Sequence, residues 1–100
     1  MGKIMYKGHE YSGSKKLGIK YVTASTAESV TANGGTHWFQ IPFPSDATPI
    51  CICGYYLNGG SGCSVYAMYL TDSYASFALR NGSTTNASVV ITCYYLCEID

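Results

Sequence analysis

The stretch Ala87-Ser88-Val89-Val90-Ile91-Thr92-Cys93-Tyr94-Tyr95-Leu96 decides the fold. β-Branched and aromatic residues fill it, which suits a pleated strand better than a helix. At the two-residue period of a strand, one side carries Val89, Ile91, Cys93 and Tyr95, and the other Val90, Tyr94 and Leu96. A strand of a monomeric sandwich is apolar on one side and polar on the other. Here both sides ask to be covered.

Working back from this strand, turn clusters alternate with similar short runs. Asn81-Gly82-Ser83-Thr84-Thr85-Asn86 separates it from Tyr74–Arg80, and Thr71-Asp72-Ser73 separates that from Cys63–Leu70. Asn58-Gly59-Gly60-Ser61-Gly62 precedes, then Ile50–Leu57, then the Pro44–Pro49 break, Thr36–Phe43, Asn33-Gly34-Gly35 and Glu28–Ala32. Six strands at a spacing of about 8–12 residues are the pattern of a sandwich or barrel. No stretch sustains a helical period. Composition agrees: Ser and Thr supply 20 residues, Gly 11 and Tyr 10, poor helix material and good strand-and-turn material. The expected fold is all-β, a small antiparallel β-sandwich of jelly-roll type with six to eight strands.

The doubled apolar pattern recurs. Thr36–Phe43 sets His37, Phe39, Ile41 and Phe43 against Trp38, Gln40 and Pro42; Cys63–Thr71 sets Cys63, Val65, Ala67 and Tyr69 against Tyr66, Met68 and Leu70. A domain of this size hides only about 60% of its chain's surface, so the second face calls for another subunit. Trp38, Tyr66, Met68, Tyr94 and Leu96 are the expected interface residues of a homo-oligomer.

Residues 1–27 read as an arm that docks on a partner, with residues 28–100 as the sandwich. The arm is rich in Lys, Gly and Ser, although Lys20–Ser25 has the makings of one more short strand. Its opening, MGKIMYKGHEYSG, lacks the apolar core of a secretory signal and the Ser or Thr of a myristoylation site. No apolar run approaches the roughly 18 residues that cross a bilayer, so membrane insertion is not expected.

Charge excludes further classes. Six basic and six acidic residues give a net charge of zero, without the basic footprint of a nucleic-acid binder. The charges are unevenly placed, with a net of +3 over residues 1–28 and −3 over 29–100, where only five charged side chains occur. A surface so poor in charge is either covered or built from neutral hydroxyls and amides.

Catalysis has no visible carrier. Cys51, Cys53, Cys63, Cys93 and Cys97 are odd in number and lack a CxxC pair, so they read as small core residues ahead of a zinc or disulfide set. Cys51 and Cys53 fall on one strand face by period, as do Cys93 and Cys97. His37 has no acid at a useful sequence spacing and reads as a packed histidine, and Asp46 and Asp72 fall in turns that favour Asp. No phosphate loop or dinucleotide fingerprint occurs. We expect no enzyme, no metal and no cofactor.

What remains is a surface of Tyr, Asn, Ser and Thr. Tyr55, Tyr56, Asn58, Tyr74 and Asn81 are the expected ligand-binding residues, since phenol rings stack on sugars and amides supply neutral hydrogen bonds. Tyr serves equally to cement subunits.

Two segments resemble a known family. Met1-Gly2-Lys3-Ile4-Met5-Tyr6-Lys7-Gly8-His9-Glu10-Tyr11-Ser12-Gly13 resembles the N-terminal peptide M-[GS]-K-I-x-Y-x-G-x-E-Y-[SA]-G of small tail-fibre-like proteins of phages and prophages in gut Firmicutes. Tyr74–Gly82 followed by Ala87–Leu96 looks like the last hairpin of their receptor-binding heads, with an R-N pair at a strand end before a polar loop. Together they cover about a third of the chain, and the shaft repeat of longer fibres is missing between them. The resemblance implies a homotrimer of small sandwiches on a virion. Residues 1–27 would dock on other tail proteins and the distal loops would meet a host-surface glycan or protein. A bacterial lectin or adhesin domain is the alternative.

Overall fold

A computed structural model of the chain describes residues 3–6, 9–12 and 16–99. The described residues form nine strands and no helix: β1 (Lys3–Tyr6), β2 (His9–Ser12), β3 (Lys16–Thr23), β4 (Glu28–Val30), β5 (Gly35–Pro42), β6 (Pro49–Asn58), β7 (Cys63–Leu70), β8 (Tyr74–Asn81) and β9 (Ala87–Ile99). The all-β antiparallel reading holds, and all six strands read from turn spacing are present.

The decisive stretch lies in β9, the longest strand and the hub of the first sheet. β3 and β6 both pair antiparallel with Thr92–Cys97, so they must lie on opposite edges of β9. β4 takes up its N-terminal end, with Glu28 opposite Val89 and Val30 opposite Ala87. The second sheet is β5-β8-β7, with β8 central. Its register sets Phe39 opposite Phe77 and Ile41 opposite Ala75.

The two sheets share one core. Val30, Phe39, Ile41, Phe43, Phe77 and Leu79 pack with the inward β9 series Val89, Ile91, Cys93, Tyr95 and Cys97. Phe43 and Tyr95 meet edge to face with ring centres 4.7 Å apart, a favoured aromatic geometry. The even-numbered β9 residues Ser88, Val90, Thr92, Tyr94, Leu96 and Glu98 therefore point away from the core, as the strand period demands.

Two expectations are corrected. The sandwich begins at Lys16 and not after residue 27, because β3 pairs along its whole length with β9, Lys16 opposite Ile99 to Thr23 opposite Thr92. Its lysines and glycine disguised a strand whose other residues are Leu17, Ile19, Tyr21, Val22 and Thr23. Ahead of it β1 and β2 pair as a hairpin, Lys3 opposite Ser12 and Tyr6 opposite His9; the rest of the expected arm before Lys16 lies outside the described residues. The second correction concerns β7, where the register slips between Val65 and Ala67. The alternation read across Cys63–Thr71 flips at this bulge, since one extra residue turns every following side chain over. Val65 pairs with Leu79 and Met68 with Phe77, whereas Ala67 and Tyr69 pair with the outward Ala78 and Ser76.

Candidate functional site

The outer face of the second sheet carries a cluster of rings. On β8 that face presents the small residues Ser76 and Ala78, both fully buried. They leave room for Trp38 of β5 and Tyr69 of β7 to lean together across the central strand, ring centres 5.7 Å apart. Tyr74 extends the cluster, 6.2 Å from Tyr69. Trp38 and Tyr69 stay about half exposed. Ser76 Oγ, shut beneath the rings, has no partner at hydrogen-bond geometry. Its closeness still holds the Tyr69 phenol below the usual tyrosine range, with Tyr74 as the second cause. Tyr74 is pushed the other way, chiefly by Tyr69.

The outer face of the first sheet carries a broader apolar band. Cross-strand partners share a face, so Leu17, Ile19, Tyr21 and Thr23 of β3 stand beside Glu98, Leu96, Tyr94 and Thr92 of β9. Gly54, Tyr56 and Asn58 of β6 stand beside Tyr94, Thr92 and Val90. Tyr21 and Tyr94 lie 6.1 Å apart, ring to ring, and the Thr23 and Thr92 hydroxyls are bonded at 2.9 Å. Leu17, Ile19, Tyr21, Tyr56 and Tyr94 are all exposed.

The residues expected to bind a ligand do not converge. Tyr56 and Asn58 lie on the first sheet's outer face and Tyr74 on the second's. Tyr55 pairs with the inward Cys93 and lays its ring edge to face on Phe77 at 5.6 Å, closing the sandwich edge. Asn81 is fully buried. Its Nδ2 donates to the Val30 and Thr85 carbonyls at 3.0 and 2.9 Å, and its Oδ1 accepts from Ser83 N and Oγ at 2.9 and 2.7 Å. Both donors and both acceptor positions are spent on the fold, so the side chain ties loops together. The expected interface residues divide likewise: Tyr94 and Leu96 lie on the first outer face and Trp38 on the second. Tyr66 is exposed at the β7 bulge, and Met68 is on the core side at the sandwich rim.

One contact was not legible in the sequence. His37 Nε2 lies 2.8 Å from Glu28 Oε1, joining β5 of the second sheet to β4 of the first. The imidazole also stands edge-on to Phe39 at 4.9 Å. Nothing in the spacing of nine residues announces this pair; only the crossing between sheets after Val30 creates it.

The cysteines behave mostly as core. Cys93 and Cys97 are buried, and no disulfide joins the five cysteines. Burial, with Cys53 nearby, pushes the Cys93 thiol up to about 11, and burial raises Cys97 and Cys63 as well. These thiols stay protonated at neutral pH, the wrong form for a nucleophile or metal ligand. Cys51 and Cys53 do not keep the shared face read from their period, because the register against β9 slips between Ile52 and Gly54. Among the described residues no group of three or more His, Cys, Asp or Glu side chains is placed to hold a metal ion.

Compared with protein-family descriptions, curated proteins and solved structures, the chain matches none.

Proposed function

We propose that this chain is a non-enzymatic structural module of a phage or prophage virion, a tail-fibre or receptor-binding head domain that attaches the particle to a host surface. The observation that carries the reading is a two-sheet sandwich with apolar, ring-rich outer sides on both sheets. A lone domain gains nothing from exposing two such faces, whereas an attachment module uses one to assemble and the other to bind. The Arg80-Asn81 pair at the end of β8 and the polar loop after it fit the resemblance to receptor-binding heads. In this reading the subunits form a homotrimer and the segment before the sandwich, within residues 1–27, docks on neighbouring virion proteins.

The test is binding of the labelled protein to a panel of Firmicute cells, alongside immunogold microscopy of particles induced from the source strain. Labelled tails and binding to a subset of strains support the proposal. Unlabelled particles together with no binding to any strain overturn it.

A second reading, a carbohydrate-binding lectin or adhesin domain, draws on the Trp38–Tyr69–Tyr74 cluster, because half-exposed, mutually braced rings suit the apolar face of a pyranose. Trp38 is the chain's single tryptophan, so its fluorescence reports on that face directly. A saturable shift with methyl hexopyranosides but not with sorbitol supports this reading, and an unchanged spectrum up to about 50 mM, enough to reveal binding as weak as about −2 kcal/mol, overturns it.

A further inference from the structure

We infer that copies of this chain meet through the outer face of the first sheet, with Gly54 as the socket that receives a ring from the neighbouring copy. The inference rests on the oligomeric part of the reading above and names the surface that part leaves open.

Area favours this face over the other. Leu17, Ile19, Tyr21, Tyr56 and Tyr94 are 49, 65, 68, 60 and 40% exposed. At about 150–250 Å² for a large side chain, these five alone leave on the order of 500–600 Å² open. Val90, Thr92 and Leu96 extend the same band, bringing it toward the ~800 Å² per partner of a stable interface. On the other sheet Trp38, Tyr69 and Tyr66, at 49, 46 and 54%, offer only about 300 Å² together by the same measure. Charge agrees. Across the three strands of the first face Glu98 is the one charged residue among those paired outward with β9, and it sits at the end of the band. The second face has Arg80 on its central strand.

Shape supplies the rest. Tyr21, Tyr94 and Gly54 stand side by side on β3, β9 and β6, a row of two rings and a gap. A Cβ added at Gly54 meets no heavy atom within 4 Å, and its backbone is outside the left-handed region that favours glycine. Gly54 closes the bulge at Cys53, yet neither its φ nor its surroundings require glycine there, and glycine inside a strand ordinarily weakens it. A neighbouring copy gives the gap a use. Turned over on an axis parallel to the strands, a second row sets its Tyr21 ring above the first copy's Gly54, and the reverse, with Tyr94 facing Tyr94 between them. A row shared around a three-fold axis fills the gap in succession.

The test is solution mass by light scattering after size exclusion, under reducing conditions, for the wild type, Gly54→Phe and Trp38→Ala. We expect the wild type at three times 10.8 kDa. Gly54→Phe should fall to a single mass with unchanged β circular dichroism and no loss of thermal stability at matched monomer concentration, while Trp38→Ala keeps the wild-type mass. A wild type at twice the chain mass with the same Gly54 sensitivity supports the face and overturns the trimer. An oligomer that Gly54→Phe leaves intact, or that Trp38→Ala dissolves, overturns this face while oligomerisation stands. A monomeric wild type overturns the inference, and cell binding by that monomer would keep the attachment reading.

Discussion

The Asn81 carboxamide and the Val30 carbonyl, 51 residues apart, meet at 3.0 Å in the interior. Around them Asn33 N donates to the Ser83 carbonyl, Gly34 N to the Asn81 carbonyl and Gly82 N to the Gly62 carbonyl. Three loops at one end of the sandwich are thus held through one residue and its neighbours.

Replacing Asn81 with Ala strands buried partners, each worth about 1–3 kcal/mol. The variant should lose about 2–4 kcal/mol, and calorimetry should show a Tm lowered by on the order of 10–20 °C. Ser83→Ala, which removes one of the four bonds, should cost about 1 kcal/mol. Equal losses would mean that the amide is not the centre of the network.

The Glu28–His37 contact joins the two sheets but is partly exposed, with both side chains 39% accessible. A double-mutant cycle with Glu28→Gln and His37→Asn should give a coupling of about 0.5 kcal/mol. Coupling above 2 kcal/mol would point to a role beyond bracing.

Cys93 ties stability to alkaline pH. Its folded value, raised from 9.0 to about 11, means that the folded state holds a proton which the unfolded state gives up. That contribution is complete below pH 9 and is lost as pH rises toward 11. Denaturant midpoints between pH 8 and 11 should fall for the wild type and fall less for Cys93→Ala. Iodoacetamide at pH 8 should label the exposed Cys53 well before Cys93 or Cys97.

Tyr69 should ionise below the usual tyrosine range and ahead of Tyr74 and Tyr95, which are pushed up. Absorbance at about 295 nm, followed through alkaline titration, should show one early step that disappears in Tyr69→Phe and moves up in Ser76→Ala, since Ser76 is the main cause of the lowering. An unmoved step in Ser76→Ala would separate the two side chains.

Tyr94→Asp and Leu96→Asp place a charge in the apolar band of the first sheet. Either should reduce the oligomer to single chains by light scattering while the far-ultraviolet spectrum stays β. Native mass in both variants would move the interface elsewhere.

Much of the architecture was legible because turn residues punctuate the chain. Asn33-Gly34, for example, breaks between strands with both residues at positive φ, 60° and 87°, a conformation that Asn and Gly adopt most cheaply. β3 was less legible, because Lys16 and Lys20 look like an arm until β9 is set beside them. The β7 bulge left no mark at all: Tyr66 differs in no local way from its neighbours, and only the pairing with β8 shows where the period breaks. The surfaces were read in the same uneven way. Ring-rich strands announced two outer faces, but Asn81 in an Asn-Gly turn looked solvent-facing and proved to be buried, since a turn signal says nothing about which side of the chain is covered.

The pairing of Lys16 with Ile99 has a mechanical side. A chain that enters the sandwich at β3 and leaves at β9 does so at a single corner. Tension between those two points opens the β3–β9 ladder one hydrogen bond at a time instead of shearing all of them together. A module loaded that way yields at low force, peeling from its edge. One gripped by its sheet faces transmits the pull across the packed core and holds, so the route by which a load reaches this domain decides how much it can bear.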